Sequence, residues 1–516
     1  MSEKMENEKD IGLHRRHTSE EMADEEAHIE EEDNKKVLGI QKRKFITIIQ
    51  VLFWMFFTAF LVVAATLKKN GPISIIAVSY AFYTLYLISD HTREGTFANP
   101  ANAVWNADNE SGTRVQRVIS LCGLTFFVLA FYITSRNRKV IHWPTVALGI
   151  GLQFLLGLFV IRTYIGQTIF SYIGGFMATF LGFSSSGIGF IVGDDFMKLY
   201  GNSFLIGVLP AIIFFGGVIQ VLYYYNVIQT TISAMGRVIE ISGIEVISAC
   251  AAPFVGMSES AMLIGPYLEN ATNAEIHQVM TSGFATISGS VYLGLVSFGA
   301  SPTHLITCCI MSVPCAFVTS KMRYPEEEVP LSRGKAIKLE RPDAEDSFIH
   351  ALSNGSILGM QLAIVVAAVL IGFLSLIGTA NYFLNWFFLF FGASGVSIQL
   401  ILGYFFYPFA WFVGIPTADL MASSQMMGIK YGVNEFVAFA DSQSNNFFTT
   451  ASPRAVLLAT FACCSFANPS SLGSQISLLG KMAPGRASDI ARVSVSAIIS
   501  GALSTIMSAC IAGIVM

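Results

Sequence analysis

Ala251-Ala252-Pro253-Phe254-Val255-Gly256-Met257-Ser258-Glu259-Ser260-Ala261 and Phe412-Val413-Gly414-Ile415-Pro416-Thr417-Ala418-Asp419 share one pattern: an apolar segment broken at mid-length by a proline, a Val-Gly pair and a polar cluster holding an acid. What such a break means depends on the solvent around it. The chain has 516 residues, 53% hydrophobic and 13% charged, with a mean hydropathy of +0.59. Soluble domains carry roughly 25% charged residues, so this sequence has about half the usual supply of solvated surface. Continuous apolar runs such as Phe45–Leu67 recur along the chain, long enough to cross a hydrocarbon core of roughly 30 Å as helices. A soluble enzyme, a disordered scaffold and a nucleic-acid binder are excluded on these grounds. A membrane β-barrel would show short alternating segments instead. The expected fold class is an all-α polytopic membrane protein, in which broken backbone at membrane depth survives only where it lines a cavity or is buried in protein.

Charge and cysteine usage agree with that class. The net charge of −4 carries little information, because the charges are confined to a few segments. All 8 cysteines fall in apolar segments, and the neighbours Cys308-Cys309 and Cys463-Cys464 have neither metal-ligand nor disulfide-framework spacing. They read as small buried apolar residues.

Residues 1–44 form a polar tail, acidic at Glu30-Glu31-Glu32-Asp33 and basic at Lys42-Arg43-Lys44, that cannot bury enough apolar surface to order itself and is expected to be disordered and cytosolic. Within it, Arg15-Arg16-His17-Thr18-Ser19 fits a basophilic-kinase pattern. Residues 45–115 hold two spans, Phe45–Leu67 and Pro72–Ser89, and a polar loop whose sequon Asn109-Glu110-Ser111 would place it outside if glycosylated. Further spans are expected near Arg114–Thr134, Pro144–Ile161, Phe204–Tyr225, Glu275–Phe298, His304–Lys321, Ile349–Thr379, Arg454–Leu479 and Ala491–Met516. A Gly- and Ser-rich helix from Ile165 to Phe183 suits the membrane interface.

Three basic loops orient the chain: Arg136 to Lys139, Lys321 to Arg341, and Lys481 to Arg492. They fall on one face, expected to be cytoplasmic, if the segments near 240–268 and 400–443 enter and leave on the same side. Counting back from Arg136 puts the tail outside if both early segments span, whereas Lys42-Arg43-Lys44 favours the cytosol. The two broken stretches therefore read as hairpins. Each is followed by a span that is itself interrupted, at Gly283–Ser290 and at Phe466–Ser471. Hairpin plus broken helix, occurring twice, is the pattern of an inverted-repeat transporter and points to its binding site. Glu259 and Glu435 sharpen the reading, since an acid in apolar surroundings costs several kcal/mol unless partnered.

The dodecapeptide Gly428-Ile429-Lys430-Tyr431-Gly432-Val433-Asn434-Glu435-Phe436-Val437-Ala438-Phe439 resembles the signature of the concentrative nucleoside transporters, solute carrier family 28. That signature is Gly/Ala-x-Lys-x-x-x-Asn-Glu-Phe-Val-Ala followed by Tyr, Met or Phe, and every fixed position matches. Val255-Gly256-Met257-Ser258-Glu259, Ser465-Phe466-Ala467-Asn468 with Ser470-Ser471, and Ala509-Cys510-Ile511-Ala512-Gly513 match as well, so the resemblance covers roughly residues 116–516. It implies a homotrimer in the plasma membrane, each protomer an inverted-repeat core of eight transmembrane helices with two re-entrant hairpins, to which residues 45–115 add N-terminal helices. It also implies an elevator motion and concentrative uptake of nucleosides, coupled to sodium or a proton, with no organic cofactor.

At matching positions, Met257, Ser258 and Glu259 at the first hairpin tip, with Val291 and Phe466, would contact the nucleobase. Glu435, Asn468 and Ser471 would bind the ribose hydroxyls. The residue types suit the task, since a carboxylate accepts from vicinal hydroxyls while Asn and Ser both donate and accept. For sodium, the matching ligands are the Val255 and Ile287 carbonyls with the Ser258 and Thr286 hydroxyls. One position departs from the family pattern: an Asn that ligates sodium is usual four residues before the glycine, and here Ala252 stands there. Some relatives lacking that Asn look proton-coupled, and Glu259 or Glu435 offers a carboxylate for the proton. Met257 stands where Gln is commoner, which removes one base-reading amide and leaves purine against pyrimidine preference open.

Other classes fit less well. Gly193-Asp194-Asp195 resembles the acid pair of intramembrane aspartyl proteases, but Ile191 occupies a position that needs glycine, and no His-Glu-x-x-His motif occurs. The chain is not expected to be an enzyme. A channel would want a continuous polar pore instead of polar residues gathered at hairpin tips. A proton-coupled or facilitative nucleoside or nucleobase transporter is the nearer alternative.

Overall fold

Thr113 starts the first described helix by a reciprocal cap: its hydroxyl accepts from the Gln116 N–H, and the Gln116 side chain accepts from the Thr113 N–H at 3.0 Å. The computed structural model describes residues 113–193, 209–225, 243–328 and 347–516, together with Ile206 and Val227. The tail 1–44 with its kinase pattern, the spans Phe45–Leu67 and Pro72–Ser89, the sequon, Asp194-Asp195 and the basic residues 333–341 lie outside the described residues. Among the described residues every regular element is helical.

The order begins α1 (Arg114–Thr134), α2 (Trp143–Gly157, continued by a π turn Leu158–Arg162), α3 (Tyr164–Gly182), α4 (Ser184–Val192) and α5 (Leu209–Tyr224). Next come α6 (Gly243–Val255), α7 (Met257–Met262), α8 (Gly265–Leu268), α9 (Asn273–Phe284), α10 (Gly289–Ser297) and α11 (Pro302–Arg323). The second half runs α12 (Phe348–Leu389), α13 (Ile398–Val413), α14 (Leu420–Gly432), α15 (Glu435–Ser444) and α16 (Phe447–Thr450). It closes with α17 (Pro453–Cys463), α18 (Pro469–Met482) and α19 (Ala487–Val515). Among the described residues 5 stretches are long and apolar enough to cross a bilayer: Arg114–Thr134, Trp143–Arg162, Pro302–Arg323, Ile371–Leu389 and Pro484–Val515.

The broken spans are present in both halves. α9 and α10 are separated at 285–288, and α17 and α18 at 464–468, each second helix restarting on a polar N-cap, Ser288 and Asn468. The interior is built around α19, against which α1, α9, α11 and α17 pack. Most of α19's apolar window, 72%, is buried within the chain, whereas the window Ile371–Leu389 of α12 is only 6% buried.

α12 continues to Leu389, ten residues past the expected end at Thr379 (389 minus 379). Asn381 and Asn385 account for the difference. The Asn381 amide donates to Gln399 at 2.8 Å and accepts from the Ile398 N–H, while Asn385 accepts from the Gly395 N–H at 3.0 Å. Polar residues that resemble a span end thus anchor the reversal into α13.

The described parts of the three basic loops gather at one end, as the orientation argument requires. The Arg136 N–H donates to the Arg323 carbonyl at 3.0 Å, and its guanidinium lies 4.5 Å over the Tyr324 ring. Thr272 donates to Glu326 at 2.9 Å, and Arg486 donates to the Ala271 carbonyl and the Asn273 side chain.

The second expected hairpin region holds two breaks. The helix breaks after Val413, with Gly414 in the left-handed region at φ 86°. Its partners are structural: Arg454 donates to the Gly414 carbonyl at 3.0 Å, and Asp419 accepts from the Ser452 N–H and hydroxyl. The interruption that presents Glu435 is Val433-Asn434, between α14 and α15, where Asn434 caps α15 by accepting from the Val437 N–H at 2.8 Å.

Candidate functional site

Four helices restart close together, and their polar first turns make the candidate site. α7 restarts after Gly256, whose φ of 103° favours glycine. α10, α15 and α18 restart on Ser288, Asn434 and Asn468. α7 packs against α9 and α18, and α10 against α15. Helix N-termini carry unsatisfied N–H groups and a partial positive charge, so they suit ligand oxygens and carboxylates.

At the centre, Asn468 Nδ2 donates to Glu435 Oε2 at 2.7 Å, with Glu435 3% and Asn468 2% exposed. The Ser471 N–H donates to Asn468 Oδ1 at 2.9 Å, which fixes the Asn468 amide so that its nitrogen faces the acid. The unwound strips of the two broken spans also meet directly, the Phe466 N–H donating to the Thr286 carbonyl at 3.1 Å. Such strips expose backbone groups that a continuous helix would consume.

Lys430 organises the second strip. Fully buried on α14, it donates to Ser465 Oγ at 2.5 Å and to the Ala467 carbonyl at 3.1 Å, and lies 3.7 Å over the Tyr431 ring. Tyr431 adds a bond to the Ala462 carbonyl at 2.6 Å. Lys430→Met is expected to lower substrate uptake about tenfold or more at normal surface expression, since two buried acceptors lose their donor at roughly 1–3 kcal/mol each. Uptake near the wild-type level would show that the strip holds its shape without the lysine.

Three family models match in chain order: "Na+ dependent nucleoside transporter N-terminus" over residues 122–195, "Nucleoside recognition" over 205–302 and "Na+ dependent nucleoside transporter C-terminus" over 304–513. The chain is 36% identical over 428 residues to rat (Rattus norvegicus) solute carrier family 28 member 3, covering 80% of this chain and 60% of that protein. It is 36% identical over 423 residues to rabbit (Oryctolagus cuniculus) sodium/nucleoside cotransporter 1, covering 78% and 64%. It thus spans less than two thirds of the length of these curated relatives. Among solved structures, a substituted CNTnw in an outward-facing state superposes with a TM-score of 0.74 at 30% identity, covering 78% of this chain and 99% of that one. CNTnw in an inward-facing substrate-bound state gives 0.72 at 30% identity, covering 78% and 98%.

The chain belongs to the concentrative nucleoside transporter family. Of the site residues expected from the sequence, the structure brings Glu435, Asn468 and Ser471 into one hydrogen-bonded group. Val291 and Phe466 are buried beside the strips, at 4% and 8% exposed. Met257 is half-buried on the core cluster that includes Phe284 and Ala467. Ser258 and Glu259 lie in the first turn of α7, and their side chains lie outside what is described.

Of the four residues expected to ligate a cation, Thr286 and Ile287 have described surroundings. Thr286 is buried, and its hydroxyl donates to the Ser282 carbonyl at 3.1 Å, which leaves the oxygen's lone pairs free to ligate. Its carbonyl is already engaged by Phe466, and Ile287 beside it is 1% exposed. Ala252 is fully buried in α6, so the position at which an Asn ligand was expected carries only a methyl group. Among the described residues no three His, Cys, Asp or Glu side chains cluster as a metal site. Sequence reasoning missed the role of Lys430, although a lysine in an apolar stretch was the signal that could have revealed it.

Proposed function

We propose that the chain carries out concentrative, cation-coupled uptake of nucleosides across the plasma membrane by alternating access. The observation that supports this best is the buried Glu435–Asn468 pair at two helix N-termini, beside the junction of two broken spans. Glu435, Asn468 and Ser471 take the ribose hydroxyls, and Met257, Ser258, Glu259, Val291 and Phe466 surround the base. Carboxylate, amide and hydroxyl together match a vicinal diol, which both donates and accepts. Nothing in this arrangement needs a covalent step, in keeping with transporter relatives and no enzymatic activity.

The working unit is a homotrimer in the lipid bilayer, with an eight-span core and two re-entrant hairpins, α6–α7 and α14–α15. The hairpins and broken spans move as an elevator against α5 and α12. Two features favour this division: α5 and α12 approach at backbone distance, and the outer face of α12 is left for lipid or a second copy. CNTnw has been captured facing both outward and inward, and the same cycle is proposed for this relative.

Sodium is the coupling cation named for the family, ligated by the Val255 and Ile287 carbonyls and the Ser258 and Thr286 hydroxyls. With Ala252 supplying no ligand, half-maximal uptake is expected to need more sodium than in an Ala252→Asn variant. Radiolabelled uridine and adenosine uptake against sodium concentration, at acid and alkaline pH, checks this. Uptake that persists without sodium and rises in acid would assign the coupling to protons. A nucleoside level that only equilibrates across the membrane would remove the concentrative reading.

A further inference from the structure

Gln475 lies on α18 one helical turn beyond Ser471 and is 1% exposed, yet neither its Nε2 nor its Oε1 has a hydrogen-bond partner. An amide buried with both ends unsatisfied is costly, and such groups persist where something else completes them. The Gln475 Nε2 is 3.4 Å from where a Cβ on Gly283 would sit, and the Met257 Cβ is 3.0 Å from the same point. The amide therefore occupies a spot beside the first hairpin tip where α9 presents no side chain.

Asn468, Ser471 and Gln475 follow one another at i, i+3 and i+7, which places them along a single helix face. At 1.5 Å per residue Gln475 lies about 10 Å along the axis from Asn468, a separation that a ribose joined to a flat heterocycle can bridge. We propose that Gln475 reads the base of the transported nucleoside, its Nε2 donating to and its Oε1 accepting from adjacent acceptor and donor groups on the edge of the ring. The assignment rests on the nucleoside reading above. It makes α18 a ruler, with the sugar at its N-cap and the base two turns on. An amide serves pyrimidine and purine edges alike, because its two ends exchange by a flip.

The test compares wild type and Gln475→Leu on uridine and N3-methyluridine, and on adenosine and N6,N6-dimethyladenosine, at matched surface expression. Gln475→Leu is expected to raise KM for uridine or adenosine about tenfold with maximal rate retained. The methylated analogues, which cannot complete the amide's bonds, are expected to change by less than about twofold. Equal KM changes for parent and methylated nucleosides, or none at all, would overturn the base-reading role while leaving nucleoside transport intact. Failure of the wild type to take up any nucleoside would overturn both readings. Leucine in place of an unsatisfied amide is not expected to unfold the site. Should Gln475→Leu nonetheless fail to reach the membrane, Gln475→Met serves the same comparison, read as the thermal shift of purified protein on adding each nucleoside. A smaller shift for the parent nucleosides alone supports the proposal, and equal shifts refute it.

Discussion

Glu435→Gln is expected to cut nucleoside uptake by about a hundredfold while leaving the amount of protein at the surface near wild type. The substitution is nearly isosteric, and the Gln carbonyl still accepts the bond that Asn468 Nδ2 makes at 2.7 Å. What is lost is charge. A carboxylate at the first residue of α15 is favoured by the helix N-terminus, and it can accept from two vicinal hydroxyls at once. Charge-assisted bonds contribute roughly 1.5–3 kcal/mol each, and a loss of about 3 kcal/mol is roughly 150-fold in affinity. The glutamine NH2 additionally confronts one sugar hydroxyl as a donor. The measurement is radiolabelled uridine and adenosine uptake normalised to surface protein, repeated with the 2′-deoxy forms. Deoxynucleosides have one hydroxyl fewer to lose, so their uptake should fall by a smaller factor. Undiminished uptake by normally expressed Glu435→Gln would remove the ribose-binding role of this acid.

That acid was visible in the sequence because charge in an apolar stretch is conspicuous, and so were the broken spans, whose glycine, serine and asparagine clusters interrupt hydrophobic runs. α1 occupies Arg114–Thr134, the range expected from its hydropathy. The break that presents this acid was harder to read. Gly414 and Pro416 look like the stronger break, yet they only turn the chain from α13 into α14. The effective interruption, Val433-Asn434, depends on Asn434 adopting an extended N-cap conformation at φ −168°, and an asparagine in a sequence does not say whether it caps, turns or binds. The extent of α12 was underestimated for a related reason. Asn381 and Asn385 resemble solvated loop residues until Gln399 and the backbone of 395–398 are seen to be their partners. Gln475 shows the same limit, since an uncharged amide in a polar helix gives no sign in the sequence that it will be buried without a partner.

Gly355→Leu is expected to abolish recovery of folded protein, and uptake with it. Gly355 and Gly359 form a Gly-x-x-x-Gly face on α12 that crosses Gly216 and Gly217 of α5. A Cβ on Gly355 would fall on the Gly216 carbonyl oxygen, 2.7 Å from the Gln220 Cβ and 2.8 Å from the Gly217 Cα. A Cβ on Gly359 would lie 2.8 Å from the Ile213 Cα. These neighbours are mostly backbone, so no rotamer change relieves the clash and the helices must separate. In lipid no hydrophobic force restores them, because helix association there depends on close packing itself. Overpacking in a well-filled interior costs roughly 1–3 kcal/mol and sometimes more, a large share of the ~5–15 kcal/mol that holds a typical domain together. Gly151→Leu is the matched control, since a Cβ there meets nothing within 4 Å. Size-exclusion profiles of fluorescently tagged protein should show aggregation for Gly355→Leu and a wild-type peak for Gly151→Leu. A monodisperse, transporting Gly355→Leu protein would mean that α5 and α12 do not need backbone contact, and with it would go the argument that this pair is the rigid frame against which the hairpins move.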